Sequence, residues 1–342
     1  MNENKEKKPA APQSQRSQGK FQPAAPPKFF ELVPANPNID FVRLAPRMIL
    51  LSSLFIVIGL ISLYLRGGLN YGIDFVGGTL VQVRFNESTP ISDVRAALDR
   101  PELRGVVVQD VGQEGHEFQI RVQTSAESQA ISAAEAAKAG LKERFGDSYE
   151  IMSVETVGPK VGDDLWRNAT LAVIASTVMM AIYIAIRFDL RFGIGVAAAL
   201  VHNVLFVIAA ISMANMEFDL TTVAALLTIV GFSVNDNVVI SDRIRENMRR
   251  GVREPLETTL NNAINETLSR TVINSGTVIF VATSLLLLGG SVIHSFAFAL
   301  LVGFIVGTWS SIFVSTPIVL LLNRGRSRGA IASRPRTRAA SE

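Results

Sequence analysis

The chain has 342 residues, 48% of them hydrophobic, a formal net charge of +3, three histidines and no cysteine. Without cysteine there are no disulfides and no thiolate metal sites. Long uncharged stretches, each able to cross a ~30 Å hydrocarbon layer, exclude a single soluble core and indicate a polytopic α-helical membrane protein.

Residues 1–28, "MNENKEKKPAAPQSQRSQGKFQPAAPPK", lack periodicity and are rich in proline, glutamine and charge, so a disordered tail is expected. Residues 29–47 mix aromatics with Pro34, Pro37 and Pro46 and suit a segment lying along the membrane surface. The first apolar span is 48–65, and the long polar stretch before it does not fit a cleaved signal peptide.

Residues 66–164 carry a different pattern. They alternate as strands at 79–85, 104–110, 117–124 and 149–157, with helical stretches at 90–100 and 126–146. That β-α-β-β-α-β order predicts one α+β ferredoxin-like domain between the first and second membrane helices. His116 stands alone in a hairpin turn, a surface residue more than a ligand. The segment "NYGIDFVGGT" at 70–79 leads into the first strand. Gly77 and Gly78 allow backbone geometries closed to other residues, and Asp74 suits hydrogen bonds to neighbouring amides, so a fixed junction is expected.

Five further spans follow at 169–186, 192–213, 220–240, 271–290 and 296–322, giving a bundle over 165–322 and a basic tail at 323–342. Arginine and lysine cluster in both tails and in the connections at 187–191 and 241–270, which puts those segments in the cytoplasm and 66–164 outside. The outside segment has ten basic and sixteen acidic residues, so the basic tails serve as topology signals and no nucleic-acid partner is expected.

Chemistry concentrates in "GFSVNDNVVISDR" at 231–243, where Asp236 lies between Asn235 and Asn237. A carboxylate in hydrocarbon costs on the order of 3 kcal/mol, so such a group faces a bundle interior, pairs, or takes up a proton. Six residues before the boundary at Asp242, it sits about 9 Å inside. Ser233, beside Phe232 and Gly231, forms a small-residue face for close helix packing. Proton carriage and a static hydrogen-bonded glue between helices both fit.

Arg270, at the start of the fifth span with Thr271, Asn274 and Ser275 continuing a polar face, is either a movable cation for Asp236 or a topology marker. His202 and Asn203, midway along the third span, either relay protons or bond across helices. Pro317, Gly303 and Gly307 suggest a kink and close packing in the last span. No phosphate loop, zinc-ligand pair or nucleophile elbow supports enzymatic chemistry, and no metal or cofactor is expected.

The motifs "NIDFVRLAPR", "NYGIDFVGGT", "GFSVNDNVVISDRIREN" and "SRTVINSGTV" resemble the SecF family of protein-export subunits, of the resistance-nodulation-division class, over about 31–323. The resemblance implies a multi-pass protein of the bacterial cytoplasmic membrane with 66–164 in the periplasm. It implies pairing with SecD beside the SecYEG channel, with YajC as a further partner and a translocating preprotein as client. It also implies that the proton-motive force drives export, with protons as the coupling ion. The family's transmembrane aspartate falls on Asp236 and its arginine on Arg270. Phe232, Asn237, Asn274, Asn203 and Val76 depart from the family pattern, and Asn203 stands where many relatives carry an acid. A proton-coupled small-molecule efflux half-transporter and a purely structural scaffold of the translocon are the competing readings.

Overall fold

The computed structural model describes residues 37–101, 103, 106–111, 115–122, 127–250, 254–290 and 292–323. The tail expected at 1–28, the first part of the surface segment, most of the 112–115 turn and the basic tail beyond Asn323 lie outside the described residues.

The elements are α1 (Phe41–Leu65), β1 (Asn70–Tyr71), α2 (Ile73–Val76), β2 (Gly78–Phe85), α3 (Ile91–Ala97), β3 (Val107–Asp110), β4 (Glu117–Val122), α4 (Glu127–Phe145), β5 (Tyr149–Val157), α5 (Pro159–Arg187), α6 (Leu190–Ala214), β6 (Glu217–Phe218), α7 (Leu220–Arg249), α8 (Leu256–Leu288) and α9 (His294–Ser310). α9 passes through a π-turn at Ser311–Ser315 and continues to Asn323. Among the described residues, six helices are long and apolar enough to cross a membrane.

Local chemistry sets the helix ends. Asp40, Asp189 and Asp219 cap α1, α6 and α7 by accepting from Arg43 N (3.0 Å), Leu190 N (2.7 Å) and Thr222 N (2.7 Å), which satisfies amides left free at a helix start. Asn215 ends α6 in the left-handed conformation at φ 55°, and Pro159 opens α5. α1 starts at Phe41, within the segment expected to lie at the surface. Residues just before it are held by α8, where Asn265 Oδ1 accepts from Ile39 N (2.8 Å) and Asn261 Oδ1 accepts from Phe41 N (2.8 Å).

The inserted domain is a four-stranded sheet of order β3-β4-β2-β5, all neighbours antiparallel. That is the ferredoxin-like arrangement read from the sequence, in which each crossover helix skips one strand. One face carries Val81, Val83, Phe118, Ile120 and Val122, all buried with Ala133, Ala137 and Leu141 of α4. The opposite face presents Gln82, Gln119 and Arg121.

Half or more of the apolar window of α6, α7 and α9 is buried, against less than a fifth in α1, α5 and α8. The three inner helices approach through small residues: a Cβ on Gly303 would stand 2.1 Å from Ile229 Cδ1, and one on Gly307 would stand 2.5 Å from Ser233 Oγ. Gly59 of α1 meets Ala209 of α6 in the same manner, its Cβ position being 2.2 Å from Ala209 Cβ. In the last span a π-turn at Ser311–Ser315 precedes Pro317, and Thr316 Oγ1 donates to Ser311 O (3.1 Å).

Candidate functional site

Asp236 is 1% exposed and lies where α7, α8 and α9 meet. Ser275 Oγ of α8 donates to Asp236 Oδ2 at 3.2 Å. Thr308 Oγ1 of α9 lies 2.7 Å from Ser275 Oγ, 3.1 Å from Phe304 O and 3.5 Å from Asp236 Oδ2. A hydroxyl has one proton, so Thr308 serves one of these acceptors at a time. The shortest route gives Thr308 to Ser275 and Ser275 to Asp236, a run of two hydroxyls ending on a carboxyl. Asn274 adds a side-chain interaction with the same carboxyl.

The sequence candidates divide around this centre. Asn203 donates to Ser233 Oγ (3.0 Å), a buried bond from α6 to α7, and Asn237 donates to Ser233 O (2.8 Å) one turn back along α7 itself. Asn203 Oδ1 has no partner. His202 points elsewhere: its Nε2 lies 3.0 Å from Ser52 Oγ of α1, and its Nδ1 is buried without a partner. Asn235 is exposed, and Gly231 has open space where a Cβ would project.

Arg270 is exposed on α8 and, among the described residues, makes no ion pair or hydrogen bond; Asp236 takes its bonds from hydroxyls instead. Arg270 lines a cavity of about 560 Å³ with Arg187, Asp242, Arg243, Glu246 and Glu266. Within that cluster Arg243 is committed to Glu266 (2.5 Å) and Glu246 (2.7 Å). Next to Arg270 on α8 is Thr271, 2% exposed, with a buried hydroxyl that has no partner among the described residues. Ser275 was visible in sequence as part of a polar face, but Thr308 was not. Its only signal is a hydroxyl beside Gly307 in an apolar helix.

The junction motif is more extended than its sequence suggests. Among the described residues Asp74 bonds no neighbouring amide; its Oδ2 accepts from Leu220 N (2.8 Å), 146 residues away at the start of α7. A carboxylate is favourable there because the first amides of a helix are unsatisfied and carry partial positive charge. β1 pairs in parallel with β6, with Asn70 opposite Glu217 and Tyr71 opposite Phe218. Tyr71, Phe75, Trp166 and Phe218 form an aromatic cluster in which Phe75 and Phe218 are tilted and the other pairs are edge-to-face. Gly77 turns the chain at φ 73°. Burial pushes the Glu217 carboxyl up from its ordinary value, against the pull of Arg121 and with the help of Asp219 and Asp74. His116 is half-buried in the turn before β4, its Nδ1 lying 3.4 Å from Phe85 O.

The family model "Protein export membrane protein SecD/SecF, C-terminal" matches residues 137–325, and "SecD/SecF GG Motif" matches 67–89, which includes Gly77 and Gly78. The protein translocase subunit SecF of Magnetococcus marinus is 44% identical over 298 residues, covering 86% of this chain and 95% of that protein. SecF of Rickettsia prowazekii is 38% identical over 291 residues, covering 84% and 92%. Among solved structures, SecDF of Thermus thermophilus, titled a translocon-associated membrane protein, matches with a TM-score of 0.75 and 33% identity, over 85% of this chain. A second SecDF structure, in a super-membrane-facing form, matches at 0.62 and 32% identity, over 90%. The chain spans about 40% of the length of these solved SecDF chains. A multi-pass membrane protein with a glycine-pinned inserted domain and this degree of identity belongs to the SecF branch of the SecD/SecF protein-export family.

Proposed function

We propose that this chain is the SecF half of a proton-driven export accessory that works with a SecD partner. In this reading it sits in the bacterial cytoplasmic membrane with both termini inside and 66–164 in the periplasm. It assists the SecYEG channel, with YajC, in moving a preprotein outward, and protons are the only coupling ion. The observation that carries the reading is the setting of Asp236, a carboxyl 1% exposed in a membrane helix and bonded by hydroxyls rather than a cation. Such a group is costly as an anion and comfortable as an acid, so its proton can be loaded and unloaded by changing what faces it. Arg270 is the cation that would face it in the unloaded state, its long side chain swinging inward from the cavity.

Preprotein import into inverted vesicles, with and without a proton gradient, tests the reading by comparing wild type with Asp236→Asn. Thr308→Val, which removes a donor without adding bulk, is expected to weaken only the gradient-dependent part. The loss should be roughly fivefold, from about 1 kcal/mol of hydrogen bonding.

The partner surface is the face of α7 that carries Gly231 and Asn235. Both are exposed, and Gly231 leaves open space. The apolar outside of α5, with Leu171, Ile174, Met179 and Ile186 exposed, suits lipid instead. Gly231→Trp should therefore reduce copurification of SecD about tenfold, equivalent to 1.4 kcal/mol, while the thermal midpoint of the isolated chain stays unchanged. Copurification at the wild-type level would remove this face from the interface. The scaffold reading has one observation in its favour, the buried Asn203–Ser233 bond, which ties α6 to α7 without any titratable group. It predicts that Asp236→Asn leaves gradient dependence intact.

A further inference from the structure

The sheet face of the inserted domain that is not covered by α4 meets the corner between α6 and α7. There Arg121 of β4 is 7% exposed. Its Nη2 lies 2.7 Å from Glu217 Oε1 of β6, and its Nη1 donates to Asn70 Oδ1 (3.1 Å) and Tyr71 O (2.9 Å). One guanidinium thus ties together the domain, the strand that leads into it and the corner that leads into α7. Two residues beyond Glu217, Asp219 caps α7, and Asp74 accepts from its first amide. From there a continuous helix of seventeen residues, about 24 Å from first to last, runs from Leu220 to Asp236.

A second set of observations distinguishes this joint from a simple brace. Arg121 Nε and Asn70 Nδ2 are buried there without a protein partner, as is Gln82 Oε1 on the same sheet face. Buried polar groups are nearly always satisfied, so a contact that leaves Arg121 Nε and Asn70 Nδ2 without a protein partner gains bonds to water when it opens. Beside it is a cavity of about 500 Å³, lined in part by Gln119, Glu217, Asp219, Arg95, Asp110 and His294, which leaves room for the domain to shift against the corner. The charged groups around Glu217 are Arg121 from β4, Asp74 from α2 and Asp219 from its own segment. Arg121 is the one cation among them.

We propose that the Arg121–Glu217 ion pair is the joint that passes movement between the Asp236 helix and the inserted domain, with Arg121 and Glu217 as positioning residues. The inference rests on the proton-coupled reading of Asp236. Breaking the pair leaves the proton site intact and disconnects it from the domain, so proton flux continues without useful work.

The test uses inverted vesicles containing the full chain and its SecD partner. Gradient-dependent import and proton flux are measured together for Arg121→Gln, Glu217→Gln, the exchange Arg121→Glu with Glu217→Arg, and Asp74→Ala. Each single variant should lose at least about fivefold of the gradient-dependent import, the lower end of typical intersite coupling, while flux persists. The exchange should recover a measurable part. Asp74→Ala, at a half-buried cap outside the ion pair, should fold normally and show the same uncoupling more weakly. Wild-type gradient dependence in the single variants, or parallel loss of flux and import in Asp74→Ala, overturns the proposal. Asp236→Asn run alongside separates the two ideas: if it abolishes gradient dependence while the Arg121 variants do not, only the joint is wrong. If it changes nothing, the proton-coupled reading and the joint fall together.

Discussion

Asp236→Asn is expected to abolish the gradient-dependent part of preprotein import, by about tenfold or more, while leaving import without a gradient and the thermal midpoint nearly unchanged. The substitution keeps the shape of the side chain and an oxygen for Ser275 Oγ, now 3.2 Å from Asp236 Oδ2. A neutral amide among hydroxyls is no worse placed than a neutral acid, so the stability change should stay within about 1 kcal/mol. What is lost is titration. A group that cannot ionise cannot bind a proton from one side and release it to the other, and no other carboxyl is buried within the membrane helices among the described residues. Retained gradient dependence would return Asp236 to the role of a hydrogen-bonded glue. Coupled loss of both import activities with a lower midpoint would show that the residue is needed for folding.

Under the proposed proton-coupled reading, Arg270 adds a requirement. It is exposed at a cavity that also holds Asp242, Glu246 and Glu266. Proton release from Asp236 becomes favourable only when a cation approaches, because an anion buried without one pays the full desolvation cost. Two arrangements are therefore needed, one with Arg270 at the cavity and one with its head near Asn274 and Asp236. Thr271, whose hydroxyl has no partner among the described residues, lies between Arg270 and Asn274 along α8.

The bundle and the inserted domain were legible in the sequence because their signals are long. Apolar runs mark the six helices, and period-two alternation marks β2, β4 and β5. Hydropathy stops at the apolar edge, so it missed that α7 runs on to Arg249 and that α8 begins at Leu256. Asp236 was legible because one charge in an apolar run is costly wherever the chain folds. Its pairing with donors was not: Ser275 stood out only as part of a polar face and Thr308 not at all, because serine and threonine are ordinary in membrane helices and only packing brings the two together from α8 and α9. The junction was half legible. Its glycines announced a special backbone, but the partners of Asp74 and Arg121 come from the α6–α7 corner, about 100 residues or more away along the chain, where no local pattern points.

Gly77→Ala is expected to destabilise the folded chain by about 2–4 kcal/mol, summing a forbidden backbone and an overpacked contact. At φ 73° and ψ 164° the residue occupies a region that is essentially closed to side chains. A Cβ there would also stand 2.8 Å from Pro159 Cα and 3.0 Å from Pro159 N. Those are backbone atoms at the start of α5, so no rotamer change relieves the contact. Shifting Pro159 would pull α5 away from α2, where Gly162 already lies so close that its own Cβ would be 2.8 Å from Phe75 O. The effect is thus a displaced helix as well as a strained turn, and it should appear as a lower thermal midpoint in detergent and reduced folded yield. Gly231→Ala is the control: with ordinary helical backbone and open space beside it, it should leave both values at wild type. Equal stability of the two variants would mean that the junction tolerates a side chain at 77 by moving as a unit. The glycine pair would then set the angle between inserted domain and bundle rather than the stability of either.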